Sequence, residues 1–572
     1  MGAAALALVA LTPACTAQPA PVVVSTATTV TPPPKATVTN SVVVAIDEVG
    51  PGFNPHQLAD LSPVNNAVSG LVLPSVFLPE ATGSGWTLDP SIAVSATPAA
   101  TTKPTAPFQV TYVLRNEAQW SDGAPIAAED FRYLWQQMIS QPGVADAAGY
   151  DLITDVASSG GGKTVTVSFA ADYPAWQQLF RSLLPAHLLK DLPGGFTAAL
   201  DDGLPVSGSR FKVKSVDRDR GEVLLERNDR FWDTPTALDS ILLRRDGTPN
   251  QLAESLRSKD AQMAQLHGSD ATRTQLAAIP DVRTLTVAQP STMRVAVDVG
   301  ASGLSDVNVR EGLLGLLDVD ALSMIGAGRA VGQFRADAQV LAPSEPGYIA
   351  TRPAGGTVTA AVEALGRAGY SLQAGRYLKN GTPLTVMVGA AKEDSAATSV
   401  AQAVADQLTS AGINAKASIV TSSELYGDRL GSGEIGMLVG RAPAGGDPAT
   451  TLASTFGCTG SAGVAPAGAP TPTAAAGPTG TRSAPTTRLG NVSGVCDPSL
   501  QPQIDAALSG AVDVAATLAE LEPRLWALHA VLPLYQDSTV LAVRKQVTGV
   551  DEPIGLRGGP FADAATWSRN DR

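Results

Sequence analysis

Between Phe108 and Ile139 the chain changes its hydrophobic period once. Phe108, Val110, Tyr112 and Leu114 recur at every second position, which predicts a half-buried strand. Asp122-Gly123 reads as a turn, because glycine tolerates the backbone of a tight reversal. Phe131, Leu134, Trp135, Met138 and Ile139 then fall at i, i+3, i+4, i+7 and i+8, one apolar face of a helix. Glu129 and Asp130 stand in its first turn, near the positive end of the helix dipole. The predicted unit is strand, turn, amphipathic helix. Nothing in it is catalytic by its chemistry.

The same reading extends along the chain. SVVVAID (41–47) is a strand, and YDLITDVA and KTVTVSFA are two more. Between the latter lies SSGGGKT, which resembles a phosphate loop but has Ala157 where the first glycine belongs and runs into a strand. Cradling phosphates requires amides at a helix N-terminus, so this is a hairpin turn. Residues 205–245 give three short strands with NDRFW as an aromatic corner. DVNVREGLLGLLDVDAL predicts one helix with Val309, Leu313, Leu314 and Leu317 inward. NGTPLTVMVG is a turn and a strand; SVAQAVADQLTSAGINAKASIV is a helix with Val400, Val404 and Leu408 inward, closed by Gly412, then a strand. Strand-helix alternation here predicts a largely parallel sheet.

At 572 residues the chain has length for two or three domains. A formal charge of −13 argues against a nucleic-acid partner. His56, His187, His267 and His529 are isolated, with no metal-ligand spacing, and neither GxSxG nor HExxH occurs. No catalytic residue, metal or cofactor is expected.

AAALALVAL is too short to span a bilayer and suits a signal-peptide core. It leads to LTPAC, where Cys15 follows a small residue as in a bacterial lipobox, although Thr12 and Pro13 depart from that pattern. Cys15 is therefore expected to carry a lipid that holds the protein at the outer face of the plasma membrane. Residues 16–40 read as a Pro/Thr-rich tether, reaching up to roughly 75 Å at about 3.1 Å per residue. Cys458 and Cys496 flank a low-complexity segment. In an exported chain this suggests a disulfide at the base of a surface loop; two buried thiols are the alternative.

WSDGAPIAAED, ERNDRFW, DVNVREGLLGLLDVDAL, NGTPLTVMV, QLTSAGINA and VLPLYQDSTVLAVRKQVTGV occur in an order and spacing that resembles the family-5 extracellular solute-binding proteins, the oligopeptide-binding family of ABC importers. The likeness covers residues 41 to 560 and is to its lipoprotein, actinobacterial type. It implies an α/β, two-lobed periplasmic-binding-protein-like fold with an extra subdomain inserted in lobe I. Mapped here, lobe I comprises 41–72, 190–288 and 530–572, the inserted subdomain 73–189, and lobe II 289–529. Ala127 stands where the family usually places a helix-capping threonine, a loss of about 1 kcal/mol. The implied partners are a small solute or peptide, ABC permease subunits and the membrane through the lipid, with the protein a monomer.

By the same resemblance, loops 59–65 (with Asp60 and Asn65), 389–395 (with Glu393 and Asp394) and 440–448 face an interlobe cleft. Peptide-binding members carry an aromatic residue after the first glycine of the last loop and, three positions on, an aspartate for the peptide α-ammonium. Here Gly440 is followed by Arg441, and Ala444 takes the aspartate's place; Asp447-Pro448 keeps the acidic-Pro ending. Arg441 reads either as a solvated loop cation or as a cleft cation that receives a carboxylate or other anion. Asp447 is the one substitute ammonium anchor, if the loop shifts by three residues. Two functions follow: a substrate-binding lipoprotein delivering a peptide or peptide-like solute to a permease, or a non-transport scaffold of the same fold in cell-envelope biosynthesis. An enzyme is the weakest reading, since fold does not license chemistry.

Overall fold

The strand-turn-helix unit forms as its pattern dictates. Gln109–Leu114 is a strand with Val110, Tyr112 and Leu114 buried, and Ala128–Met138 is a helix burying Phe131, Leu134, Trp135 and Met138. Gly123 takes a φ of +100° in the turn between them. The fully buried Trp120 donates its indole N–H to Asp130 Oδ2 at 3.3 Å. The same carboxylate accepts the backbone N–H of Ala127 and of Ala186, each at 3.0 Å. Asp130 is thus a clasp between turn, helix and the following segment, and burial raises its pKa to about 6 against the pull of those donors.

The computed structural model describes residues 40–80, 85–99, 108–327, 334–354, 357–458, 490–550 and 555–570. Cys15, the tether up to residue 39 and most of the low-complexity segment (459–489) lie outside the described residues. Cys458 and Cys496 are joined by a disulfide, with their Cα atoms 4.8 Å apart. Among the described residues no helix is long and apolar enough to cross a membrane.

A ten-stranded sheet runs through the molecule in the order Asn414–Val420, Thr385–Ala391, Met437–Pro443, Val282–Val297, Val531–Arg544, Met263–Leu266, Ser41–Ile46, Ser240–Arg245, Glu222–Arg227 and Phe211–Asp217. Val282–Val297 and Val531–Arg544 are long antiparallel strands that pass from one lobe into the other, pairing from Val282↔Arg544 to Ala296↔Val531. Their register breaks between Ala288 and Thr292, around Pro290. Proline has no N–H to give a ladder, so the break falls there. The sheet is mixed, not largely parallel. In the second lobe Asn414–Val420, Thr385–Ala391 and Met437–Pro443 pair in parallel, but Met437–Pro443 meets the crossing strand antiparallel.

An antiparallel four-stranded sheet, Ala93–Pro98, Gln109–Leu114, Thr164–Phe169 and Ile153–Ser159, forms the inserted subdomain. Gly160, Gly161 and Gly162 all have positive φ at its hairpin, as the turn reading requires. Its core is continuous with that of the first lobe, where Val42, Val44 and Val68 are buried. The second lobe buries Val309, Leu313, Val388, Val400, Val404 and Leu408 around Met293 and Tyr535 of the crossing strands. The single helix expected after Asp306 is two, Val307–Gly315 and Val319–Ala327. Asp318 causes the restart: its Oδ1 accepts the N–H of Ala321 at 3.0 Å, the capping role short acidic side chains favour.

Candidate functional site

Arg441 lies within the strand Met437–Pro443, opposite Met293, and its side chain is 7% exposed. It is neither a solvated loop cation nor a free cleft cation. Its Nε donates to Asp394 Oδ2 at 2.7 Å and its Nη1 to Asp537 Oδ2. Asp537 also meets His267 Nε2 at 3.0 Å, while His267 Nδ1 sits 2.8 Å from Asp47 Oδ2. With a carboxylate at each ring nitrogen, His267 is an imidazolium. Burial alone would lower its pKa; Asp537 and then Asp47 raise it well above the ordinary value. Burial likewise opposes ionisation of Asp537, yet Arg441 and His267 hold its pKa well below the usual carboxylate range. Two cations and three carboxylates thus form a chain linking both lobes through a crossing strand.

The other residues singled out by sequence have structural partners. Asp394 caps the helix Ser395–Ser410, its Oδ1 accepting Ala397 N–H at 3.0 Å. Asp447 caps Pro448–Phe456, its Oδ2 accepting both the N–H and the hydroxyl of Thr450 at 2.8 Å. It is therefore a helix cap, bonded through one oxygen by neutral groups of Thr450. Asp60 ends a short 3-10 turn, fully enclosed; its Oδ2 accepts Asn54 N–H at 3.0 Å, and burial pushes its pKa to about 7. Asn65 is buried in the helix Pro63–Val72 and donates to Asp60 O at 2.9 Å. Within segment 59–65 the 3-10 turn ends at Asp60, Leu61 and Ser62 are extended, and the helix starts at Pro63. Glu393 accepts Ser422 N–H at 3.1 Å, and Gly440 is a strand residue opposite Arg294.

Glu393, Asp394 and Arg441 do meet Leu61, Ser62 and Pro63 across the lobes, around a crevice of only about 20 Å³. That is room for a water, not a solute.

A cavity of about 350 Å³ adjoins this crevice, sharing Leu61, Pro63 and Gln265, and is walled by the first lobe, the inserted subdomain, the Gln289-Pro290 break, Pro443, Ala444 and Thr450 of the second lobe, and the C-terminal segment. Of the residues proposed individually from sequence only Ala444 lines it, its N–H bound to Pro290 O at 2.9 Å, together with Leu61 and Pro63 of segment 59–65 and Pro443 of segment 440–448. Leu71, Phe77, Ile92, Met138 and Phe561 supply apolar wall, and His56, Asp146, Arg181 and Arg557 supply polar groups. His56 is neutral, burial having lowered its pKa to about 4, with Nε2 2.9 Å from Ser182 O. Arg557 pairs with Asp146. Asp89 is held by the N–H and hydroxyl of Ser91, and Asp563 is also engaged. Apolar wall with a few polar groups is the usual make-up of a ligand pocket. Arg181 did carry a sequence signal: it is the only Asp, Glu, Lys or Arg between Asp172 and Lys190, in a run of apolar residues.

Residues 98–463 match the Bacterial extracellular solute-binding proteins, family 5 Middle. The chain is 41% identical over 607 aligned residues, covering 97% of itself and 95% of the relative, to the probable monoacyl phosphatidylinositol tetramannoside-binding protein LpqW of Mycobacterium tuberculosis. It is 34% identical over 152 residues, 24% of each chain, to the oligopeptide-binding protein OppA of Mycobacterium bovis. An uncharacterised lipoprotein of Mycobacterium tuberculosis, Rv2585c, is 26% identical over 490 residues, 78% of this chain and 79% of the relative. Among solved structures, AppA of Bacillus subtilis with a nonapeptide superposes at a TM-score of 0.70 and 14% identity, covering 93% of this chain and 100% of that one. The periplasmic EDTA-binding protein EppA does so at 0.67 and 22%, covering 93% and 97%. At those identities the structures establish the fold alone: two lobes with an inserted subdomain. The chain belongs to the family-5 bacterial extracellular solute-binding proteins.

Proposed function

We propose that this protein is an exported, lipid-anchored binding protein whose 350 Å³ cavity takes the polar head of a glycosylated phosphoinositide-type lipid, and not a free peptide N-terminus. The observation that carries this reading is the state of the wall carboxylates. Ala444 replaces the family's ammonium partner and Asp146 is taken by Arg557, while Asp89 is bonded only by neutral groups of Ser91 and keeps its charge in a wall that also holds the cations Arg181 and Arg557. A peptide ammonium brought into this cavity would meet two cations and, of Asp89 and Asp146, one carboxylate not already paired with a cation, a poor counter-charge for a desolvated site. The name of the 41%-identical relative supplies the ligand class. At the low end of ligand-pocket volumes, the cavity would enclose only part of such a lipid and leave an acyl chain outside.

Calorimetry on the full chain tests this with a monoacyl phosphatidylinositol mannoside and with a peptide pool in free and N-acetylated forms. The lipid should bind, and acetylation should change any peptide affinity less than about threefold. A hundredfold loss on acetylation would establish an ammonium anchor and defeat the reading.

A second reading, delivery of a solute to an ABC permease, is favoured by the family and by the local likeness to OppA. Co-purification of permease subunits with the membrane-anchored protein separates it from a scaffold role in envelope biosynthesis. In either case Cys15 would be the anchor, at the outer face of the plasma membrane, and the protein a monomer.

A further inference from the structure

The large cavity contains a cation with no counter-ion. Arg181 sits between Phe180 and Ser182, two non-glycine residues with φ of 55° and 46°. Left-handed backbone is unfavourable for such residues and persists where surrounding contacts impose it. Those contacts are present. Phe180 N–H donates to Tyr150 Oη and Ser182 N–H to Ser75 Oγ, both at 2.9 Å, and Ser182 O lies 2.9 Å from His56 Nε2. The segment is pinned on both sides of Arg181, whose side chain lines the cavity with its guanidinium 4.9 Å from the centroid of the Trp86 ring.

Among the described residues no carboxylate comes within 4.0 Å of the Arg181 nitrogens, and the guanidinium makes no hydrogen bond. Asp146 is nearby, but Arg557 occupies it. Arg557 lines the same cavity, and its Nε is buried without a hydrogen-bond partner. Burial, followed by repulsion from Arg557, lowers the pKa of Arg181 to about 9, so it stays charged at neutral pH. Arg181 is half-buried, and a partly desolvated cation without an ionic partner carries a cost that stacking on one indole only partly offsets.

We propose that Arg181 is the anion-binding residue of this cavity, with Arg557 beside it, and that it takes an oxyanion of the ligand, a phosphodiester or a carboxylate. The inference rests on reading this cavity as the ligand site. The guanidinium suits the task because its planar fork offers paired N–H donors to two oxygens of one anion. The proposal also assigns the selective group to the inserted subdomain rather than to Arg441 in the second lobe.

The test is calorimetry on the full chain with three probes: monoacyl phosphatidylinositol, an uncharged monoacyl mannoside, and an N-acetylated peptide pool with its carboxylate free or amidated. Arg181→Met should weaken the probe that carries the recognised anion by at least about thirtyfold, the effect of removing one partner of a buried charged pair. Arg181→Lys should recover part of that loss, and affinity for the uncharged mannoside should change less than threefold. Loss confined to the phospholipid assigns a phosphodiester; loss confined to the free-acid peptides assigns a carboxylate. Without ligand, Arg181→Met should melt no lower than wild type, since it removes a half-buried charge that has no ionic partner. A lower melting temperature with unchanged affinities would make Arg181 a structural prop and overturn the proposal. Equal binding of charged and uncharged lipids by wild type would overturn the anion subsite but leave the cavity reading standing. Binding of no probe at all would overturn both.

Discussion

Arg441 Nε lies 2.7 Å from Asp394 Oδ2, tying the strand Met437–Pro443 to the first turn of the helix Ser395–Ser410. The other arm of the same guanidinium reaches Asp537 on the crossing strand. Replacing Arg441 by Met would strand two carboxylates around an apolar side chain. Loss of one member of such a buried network typically costs about 3–5 kcal/mol. Urea unfolding of Arg441→Met should show a loss of that order, while affinity for a ligand of the large cavity should change less than about threefold. A fully stable variant would mean that the carboxylates relax into solvent.

His267 gives the network a pH dependence of known sign. Its native pKa is raised, so its stabilisation is fully present below the unfolded value, about 6.5, and is lost as pH rises through the native value. The stability difference between wild type and His267→Gln should therefore be larger at pH 6 than at pH 10, read from urea midpoints at each pH. A difference that grows towards alkaline pH would contradict the imidazolium assignment.

Closing a chain segment between Cys458 and Cys496, 38 positions apart, restricts the unfolded state and contributes about 4 kcal/mol in the chain-entropy account. The Cys458→Ser, Cys496→Ser double variant should unfold at lower urea by up to that amount, and non-reduced peptide mapping of wild type should recover the cross-link. Two free thiols in the mature exported protein would rule the bond out.

Ala127 occupies the N-cap of Ala128–Met138 with extended backbone, φ −148° and ψ 176°, and has no side-chain acceptor. Asp130 already takes the Ala127 N–H, while the Asp130 N–H is left to the Ala127 carbonyl at 3.0 Å. Ala127→Ser should supply the missing acceptor and raise stability by about 0.5–2 kcal/mol. Denaturant unfolding would measure it; no gain would mean that the Asp130 clasp already fixes the helix start.

Local elements were legible because burial repeats within a few residues. Val400, Val404 and Leu408 share a helix face, and Val110, Tyr112 and Leu114 share a strand face, whatever surrounds them. The helix break at Asp318 was missed because an unbroken apolar pattern outweighed one acidic residue that works as a cap. The mixed sheet was missed because strand direction in Val282–Val297 depends on a partner far along the chain, at Val531–Arg544.

By itself the sequence determined most of the elements and narrowed Cys458 and Cys496 to a mutual disulfide or two buried thiols. Those features are written in short-range periodicity or in residue types whose chemistry admits few partners. Only the tertiary structure decided which arginine is free. Arg441 finds its carboxylates 47 and 96 positions away and is neutralised by both. Arg181 stands in an apolar run, and among the described residues no carboxylate comes within 4.0 Å of it, the nearby Asp146 being taken by Arg557. A charge is available to a ligand only when folding leaves it unpaired, and pairing is a property of distance in space, to which separation along the chain is no guide.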